Sequence, residues 1–269
     1  MSIDWSGPSR QTCPECGRGP KDRTCGVKLD ERGGVAHCHR CGHTETMRGE
    51  TVKGVVHSRR PEQPKSETLS DYWRKVWSEC MPLAGAAVSY LEARKCIVPP
   101  RECDLRWHPA LPHVPSGTKW PALVALVTDV MTGAPLTLHR TWVRANGEKA
   151  PIEPARMLLR GHRKQGGVVR LWPDEYVTSS LGVAEGIESA LSVARAFQPV
   201  WSAIDAGNLG ALPVLRGVDT LLIAADHDHA GLVAAKSCRD RWRGAGVDVR
   251  IAVPPIRGSD FNDVAKSEA

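Results

Sequence analysis

Leu181-Gly-Val-Ala-Glu185-Gly-Ile-Glu188, Leu221-Leu-Ile-Ala-Ala-Asp226-His-Asp228-His-Ala-Gly231 and Gly258-Ser-Asp260-Phe-Asn262-Asp263 share one pattern, an acidic motif closing an apolar run. Around them, short apolar runs alternate with stretches of helical period. The elements expected are Leu181 to Ala184, Ile187 to Phe197, Val200 to Ile204, Asn208 to Leu215, Thr220 to Ala225, Gly231 to Arg243 and Asp248 to Val253. Such alternation predicts a parallel sheet flanked by helices, with strands apolar enough to be buried on both faces. Gly244 and Gly246 suit the end of a helix. In an open parallel sheet the carboxyl ends of the strands face one crevice, so Glu185, Asp226, Asp228, Asp260 and Asp263 are candidates for a single carboxylate cluster.

A cluster of that kind suits Mg²⁺ or Mn²⁺, a hard ion that takes one or two protein carboxylates and completes its shell with water and substrate phosphate. The implied chemistry is phosphoryl transfer at a phosphodiester. The plainer alternative makes Asp226 and Asp228 turn or helix N-cap residues. The glutamate ending an earlier apolar strand, at a separation of two βα units, favours the functional alternative.

At the other end of the chain, Cys13-Pro-Glu-Cys16-Gly and Cys38-His-Arg-Cys41-Gly form two Cys-x-x-Cys knuckles. Four thiolates in this arrangement predict a closed tetrahedral Zn²⁺ site of structural type, with a glycine after each pair for the tight turn. A redox pair or an iron–sulfur site would use the same residues. Cys25, His37, His39 and His43 are either substitute ligands or ordinary loop residues.

Between the ends, Arg59-Arg-Pro-Glu-Gln-Pro-Lys-Ser66 has almost no apolar content and marks a linker. Apolar spacing from Asp71 to Lys95 predicts two short helices interrupted near Pro82. Ala122 to Val130 and Leu136 to Val143 flank Met131-Thr-Gly-Ala-Pro135 and predict an antiparallel hairpin, and Gly167 to Trp172 a further strand. The expected organisation is thus a multidomain chain of α/β and α+β type. It has a zinc ribbon over 1–50, a linker over 51–69, an α+β middle domain over 70–178 and a Rossmann-like parallel-sheet domain over 179–269.

The 269 residues carry a net charge of +6, and its distribution is more informative than its total. Residues 139–170 hold eight Lys/Arg against two Asp/Glu, whereas residues 171–269 hold nine against thirteen. A basic centre beside an acidic C-terminal third suggests a polyanion track leading to a metal site, although a basic stretch is also a common solvated face. The nine cysteines show no disulfide framework, which points to a reducing compartment. No apolar run approaches the roughly 20 residues of a membrane span, and no signal-peptide pattern opens the sequence. No membrane partner is expected, and the expected location is the cytoplasm. No Gly-x-x-x-x-Gly-Lys-Ser/Thr phosphate loop is present, so no ATPase or helicase motor is expected.

The two cysteine knuckles, Leu138-His-Arg140-Thr-Trp-Val-Arg144 with Gly147-Glu-Lys149-Ala, and the three acidic motifs together resemble a bacterial or phage/plasmid DNA primase of the zinc-ribbon plus Toprim type. The resemblance runs from Cys13 to Asp263. It implies a Toprim fold in which Glu185 assists proton transfer or binds metal, Asp226 and Asp228 hold Mg²⁺ or Mn²⁺, and Asp260, with Asp263, completes the site. It also implies joining of NTPs on single-stranded DNA, in a bacterial or phage-infected cell, with any helicase acting in trans. Arg140, Arg144, Lys149, Arg156, Arg160, Arg163 and Lys164 are candidates for triphosphate or template backbone, and Arg18, Lys21, Arg23 and Arg40 for DNA contact by the ribbon. Many primases carry an aspartate four residues after the first glutamate; here that position is Ser189, and Glu188 stands one residue earlier. The roles of Glu188, His227 and His229 stay open. The competing expectations are a Toprim nuclease and a non-catalytic DNA-binding accessory protein of replication or recombination.

Overall fold

The structure, a computed structural model, describes residues 2–17, 22–30, 33–38, 40–48 and 65–267. It divides into two compact units, Met1–Gln63 with Asp228–Leu232, and Pro64–His227 with Val233–Ala269. The expected linker falls largely on residues 51–64, which lie outside the described residues.

The N-terminal sheet is antiparallel, its strands β1 (Arg10–Gln11), β2 (Cys25–Asp30), β3 (Gly33–Cys38) and β4 (Thr44–Arg48) lying in chain order. Its core is Ile3, Cys13, Cys25, Val27, Ala36 and Cys38, with Trp5, Cys16 and Cys41 packed against it. So small an apolar core cannot stabilise a fold by burial alone, and half of its buried members are cysteines.

The second unit opens with α1 (Asp71–Glu79) and α2 (Gly85–Ala93), and Pro82 stands in the break between them as its missing N–H requires. The five-stranded sheet that follows runs β5 (Leu105–His113), β6 (Thr118–Asp129), β7 (Pro135–Trp142), β8 (Arg156–Leu158) in spatial order, with β9 (Gly167–Val168) paired to the end of β6. The expected hairpin is β6–β7. Its turn is closed by Asp129 Oδ1, which accepts the N–H groups of Met131 and Thr132, each at 3.0 Å. β5 was not expected, because Pro109 and Pro112 sit inside it. It is an edge strand whose register shifts between His108 and Leu111, which is where a sheet tolerates proline.

The C-terminal elements are β10 (Ser180–Ala184), α3 (Ile187–Val193), β11 (Val200–Ser202), α4 (Ala206–Ala211), β12 (Thr220–Ala224), α5 (His229–Gly244), β13 (Asp248–Ala252) and α6 (Phe261–Ser267). The strands form one parallel sheet in the order β11-β10-β12-β13, as the alternating pattern predicts. α3 stops at Val193, short of Phe197, and the second helix spans Ala206–Ala211, earlier than Asn208 to Leu215. α6 is a further element without a sequence expectation.

The expected boundary near residue 178 does not separate two cores. Tyr90, Leu91, Leu105, Leu123 and Leu136 share one buried cluster with Ile187, Leu191, Val200 and Ala224. Val169 and Ser202 exchange backbone hydrogen bonds of 2.8 and 3.1 Å, stitching the two sheets together. The last residues of the expected linker also belong to this unit. Ser66 pairs with the backbone near His162, and Leu69, 2% exposed, is buried because it is the one large aliphatic residue of that segment. Among the described residues, no helix is long and apolar enough to cross a membrane.

Gly182 lies in β10, an interior strand, and a Cβ there would stand 2.9 Å from Val200 Cγ2, 3.1 Å from Phe197 Cδ1 and 3.3 Å from the Pro199 carbonyl oxygen. Gly182→Ala is therefore expected to lower the unfolding free energy by roughly 1–3 kcal/mol through overpacking. Urea denaturation checks the sign. A stabilisation of about 0.4–1 kcal/mol, the usual effect of Gly→Ala at an unstrained position, would show that β10 and β11 do not approach as closely as this.

Candidate functional site

β10 and β12 are adjacent and parallel, with Ala184 opposite Ala224. Glu185 follows the first and Asp226 stands two residues beyond the second, so both leave the same edge of the sheet, half-buried. Glu185 is fixed through its backbone: its carbonyl accepts the Ser202 hydroxyl at 2.8 Å, and Ala203 N–H donates to the Ala184 carbonyl at 2.8 Å. Ser202 Oγ also accepts the N–H of Ile204 at 3.2 Å. Ile204 has φ of 74°, a left-handed conformation that is strained for a β-branched residue and is characteristic of functional edges.

The third motif is brought to this edge by His227. Its N–H donates to Ser259 O at 3.0 Å, its carbonyl accepts from Gly258 N–H at 2.7 Å, and its Nδ1 pairs with the Pro254 carbonyl at 2.8 Å. His227 thus stitches the turn following Asp226 to the loop preceding Asp260. Asp260 caps α6, its Oδ1 accepting Asp263 N–H at 2.8 Å, while exposed Asp263 pairs with Lys266 at 3.0 Å. Asp228 accepts Gly231 N–H at 2.8 Å and so stands as the N-cap of α5, the plainer role the sequence allows it. His229 is the exposed first residue of α5. Glu185 and Asp226, half-buried at the ends of paired strands, offer the hard oxygen donors that suit Mg²⁺ or Mn²⁺, although among the described residues the four cysteines are the group of three or more ligating side chains drawn close enough to hold an ion.

Glu188 is not among the exposed donors. It is 6% exposed in the first turn of α3, accepts the Tyr90 hydroxyl at 2.7 Å, and is ion-paired with Arg156. Burial alone would raise its pKa, but the Arg156 guanidinium and the Tyr90 hydroxyl bring it down to about 2. Tyr90 is pushed above its ordinary value by burial and by Glu188. Asn262, in the third motif, is also internal at 2% exposed.

The basic candidates separate clearly. Arg140 is a correction. It is 5% exposed, its guanidinium lies 5.1 Å from both the Trp73 and Trp142 ring centroids, and it donates to the Leu158 carbonyl at 3.2 Å. Its flanking tryptophans supply cation–π partners inside the fold, so it packs β8 onto β7 and offers nothing to a ligand. Arg163 is held by Glu67 and Asp129 at 2.9 Å each, and Lys164 by Asp205 at 2.5 Å. Arg144 pairs with Glu148 at 3.0 Å on an exposed turn. Lys149 has its pKa lowered by desolvation of the ammonium and by neighbouring Arg156, which itself keeps 37% of its side chain exposed. Arg160 is exposed.

In the ribbon, Cys13, Cys16, Cys38 and Cys41 place their sulfurs within 4.8 Å of one another, with Cys13–Cys41 and Cys16–Cys38 each at 3.6 Å. A tetrahedron of thiolates at Zn–S distances near 2.3 Å has S···S edges of about 3.8 Å, so this donor set fits zinc. The glycines behave as expected: Gly17 and Gly42 donate N–H to the Cys13 and Cys38 carbonyls at 3.0 Å, and Gly42 has φ of 75°. Arg40 N–H points at Cys38 Sγ at 3.4 Å, an outer-shell contact that steadies a thiolate. The Arg40 side chain is committed within the ribbon, to Asp22 at 2.6 Å and the Cys16 carbonyl at 3.2 Å. Cys25 lies in β2, fully buried, and joins no ligand cluster among the described residues. Arg23 is exposed, whereas Arg18, Lys21 and His39 fall outside the described residues.

Residues 180–269 match the family model of the Toprim domain, and residues 67–171 that of a domain of unknown function (DUF7146). The C-terminal domain is a Toprim domain. No curated protein matches the sequence. Among solved structures, the chain is similar to a DNA primase domain from Pseudomonas aeruginosa (16% identity, 59% of this chain and 52% of that one, TM-score 0.38). It is also similar to the zinc-binding and RNA polymerase domains of the Aquifex aeolicus primase (17%, 67% and 52%, TM-score 0.44). A third is the primase fragment of the bacteriophage T7 primase-helicase protein (16%, 96% and 94%, TM-score 0.45). The chain spans about half the length of the first two, 52% of each.

Two expectations follow. Purified protein should hold one zinc per chain by elemental analysis. Cys16→Ser should release it and expose the ribbon to protease, because folding of a site this small is coupled to metal binding; retained zinc in the variant would remove Cys16 from the ligand set. For Glu188, the folded pKa lies below the ordinary value of 4.5. The native state therefore binds fewer protons than the unfolded one, and this contribution is complete above pH 4.5 and lost as pH falls through about 2. Glu188→Gln, which leaves Arg156 without its counter-ion, should cost roughly 3–5 kcal/mol at pH 7. The gap from wild type, measured by urea unfolding at pH 7 and pH 3, should narrow on acidification; a constant gap would mean that the carboxylate is not ionised in the fold.

Proposed function

We propose that the chain is a DNA primase that joins ribonucleotides on single-stranded DNA by metal-dependent nucleotidyl transfer. The observation that carries this is the in-register pairing of β10 and β12, which sets Glu185 and Asp226 at one edge of a Toprim sheet. The four-cysteine ribbon supports it, because a closed zinc site carried in the same chain as a phosphoryl-transfer domain suits a protein that grips its template separately from its reaction centre. The ribbon would bind single-stranded template, with exposed Arg23 as a contact residue.

Asp226, Asp228 and Asp260, with Asp263, are the groups that would hold Mg²⁺ or Mn²⁺. When bound, the metal offsets phosphate charge and lowers the pKa of the attacking 3′-hydroxyl. Glu185, whose backbone carbonyl accepts the Ser202 hydroxyl at the strand end, would take the hydroxyl proton or join the ligand set. Arg144, Lys149, Arg156 and Arg160 are the cations left to meet triphosphate and template, since Arg140 is internal. Guanidinium groups grip phosphate oxygens in pairs and orient the chain without reading sequence. A replicative helicase would act in trans.

Incubated with Mg²⁺ or Mn²⁺, single-stranded DNA of mixed sequence and labelled NTPs, the protein should yield short RNA, and the variant combining Asp226→Ala and Asp228→Ala should yield none. Shortened template without RNA would replace this function with that of a Toprim nuclease. Tight DNA binding with neither product would replace it with an accessory DNA-binding role.

A further inference from the structure

α2 and the residues just after it touch the first turn of two of the three helices that follow an acidic motif, α3 and α6. Tyr90 donates its hydroxyl to Glu188 at 2.7 Å, three residues after Glu185. Arg94, one turn further along, stacks its guanidinium 4.7 Å over the Tyr90 ring and donates Nη1 to Asn262 Oδ1 at 3.1 Å, two residues after Asp260. Asn262 Nδ2 in return donates to the Arg94 carbonyl at 2.7 Å and to Ser192 Oγ of α3 at 3.1 Å. The chain then continues along α3, with Ile97 N–H bonded to the Leu191 carbonyl at 3.2 Å.

We propose that α2 is a strut that sets the spacing between Glu185 and Asp260, with Tyr90 and Asn262 as positioning residues and Glu188 as an anchor of the strut, not a metal ligand. This rests on the acidic edge being the metal site. Glu188 is buried with both its partners engaged, and a cation there would have to displace Arg156. Asn262 is 2% exposed and equally committed: its oxygen accepts from Arg94 and its nitrogen donates to Arg94 and Ser192. Magnesium demands a near-ideal octahedron, so a carboxylate whose supporting helix turn is loosened loses affinity without ceasing to be a ligand. The segment that supplies α2 lies in the domain of unknown function, which on this account supplies rigidity to a site built by the Toprim domain.

The test uses the full chain with its cysteine site loaded with zinc and Mn²⁺ as the probe, free ion being counted by electron paramagnetic resonance below the unfolding range. Tyr90→Phe and Asn262→Ser change no charge. Each should weaken Mn²⁺ binding by roughly tenfold, the lower end of what loss of an outer-shell partner costs, with the number of bound ions unchanged. Asp226→Asn should lose an ion outright, and Glu188→Gln should keep the wild-type number. Tyr90→Phe and Asn262→Ser proteins that bind Mn²⁺ as wild type does, even with a lowered Tm, would overturn the positioning role and leave only packing. An ion lost in Glu188→Gln would make Glu188 a ligand and overturn the proposal. Should Asn262→Ser fail to fold, Tyr90→Phe, which removes a single hydroxyl, decides alone. A wild-type protein that binds no Mn²⁺ overturns the metal site itself, a failure distinct from wild-type binding that the variants leave unchanged.

Discussion

The backbone ladder between β10 and β12 is the constraint on which the C-terminal half depends. Because the two strands are parallel and Ala184 faces Ala224, both chains leave the sheet at the same edge, and whatever residues come next must share a neighbourhood. The ladder needs two apolar faces, since helices cover a parallel sheet on both sides, and Leu181, Val183, Leu221 and Ile223 on one face and Ala184 and Ala224 on the other are all 0–1% exposed. The same geometry that buries these side chains therefore delivers Glu185 and Asp226 to a half-exposed rim. One antiparallel substitution in the order would send one of the two carboxylates to the opposite end of the sheet.

What the sequence discloses is what periodicity and chemistry mark locally. The apolar runs at 181–184, 200–202 and 220–224 became strands because no other element buries so short an unbroken run with helices between, whereas 248–252, with Asp248 and Arg250 exposed, forms an edge strand. The cysteine knuckles were legible because four soft ligands at such spacing serve few purposes. β5 was hidden by two prolines that an edge strand can tolerate, and β8 by being only three residues long. Glu188 and Arg140 were opaque for a different reason. Each looks like a surface charge in sequence, and its burial is decided by a partner distant along the chain, Arg156 and Tyr90 for the one, Trp73 and Leu158 for the other. Long-range pairing leaves no local period to read.

Buried polar groups concentrate where α2, α3, β8 and α6 meet. A buried ion pair is poor evidence of net stability, because desolvation offsets most of the Coulomb gain, yet removal of one partner is costly. Such a pair tolerates few alternative packings: Glu188 must find Arg156 and Tyr90 together, and Asn262 must find Arg94 and Ser192 together. An apolar contact in the same place would permit sliding of a helix by a fraction of a turn. Directional bonds at Glu188 and Asn262 forbid it, and these two residues stand three positions after Glu185 and two after Asp260.

The two metal-competent donor sets differ in chemistry to a degree that keeps them independent. Four thiols within 4.8 Å of one another form a closed soft site with no place for substrate. Glu185, Asp226 and Asp260 offer hard oxygens at a half-exposed edge, where water and phosphate can complete a coordination shell. Ligand softness, more than raw affinity, sorts ions between such sites. Zinc is drawn to sulfur, and magnesium or manganese has little to gain there, so one chain can carry a permanent structural ion and an exchangeable one without either displacing the other. A permanent ion at the four cysteines would supply the stabilisation that so small an apolar core lacks. On the proposed function the acidic edge would need an exchangeable one, since an ion enclosed by protein ligands on all sides could not take a phosphate oxygen into its shell.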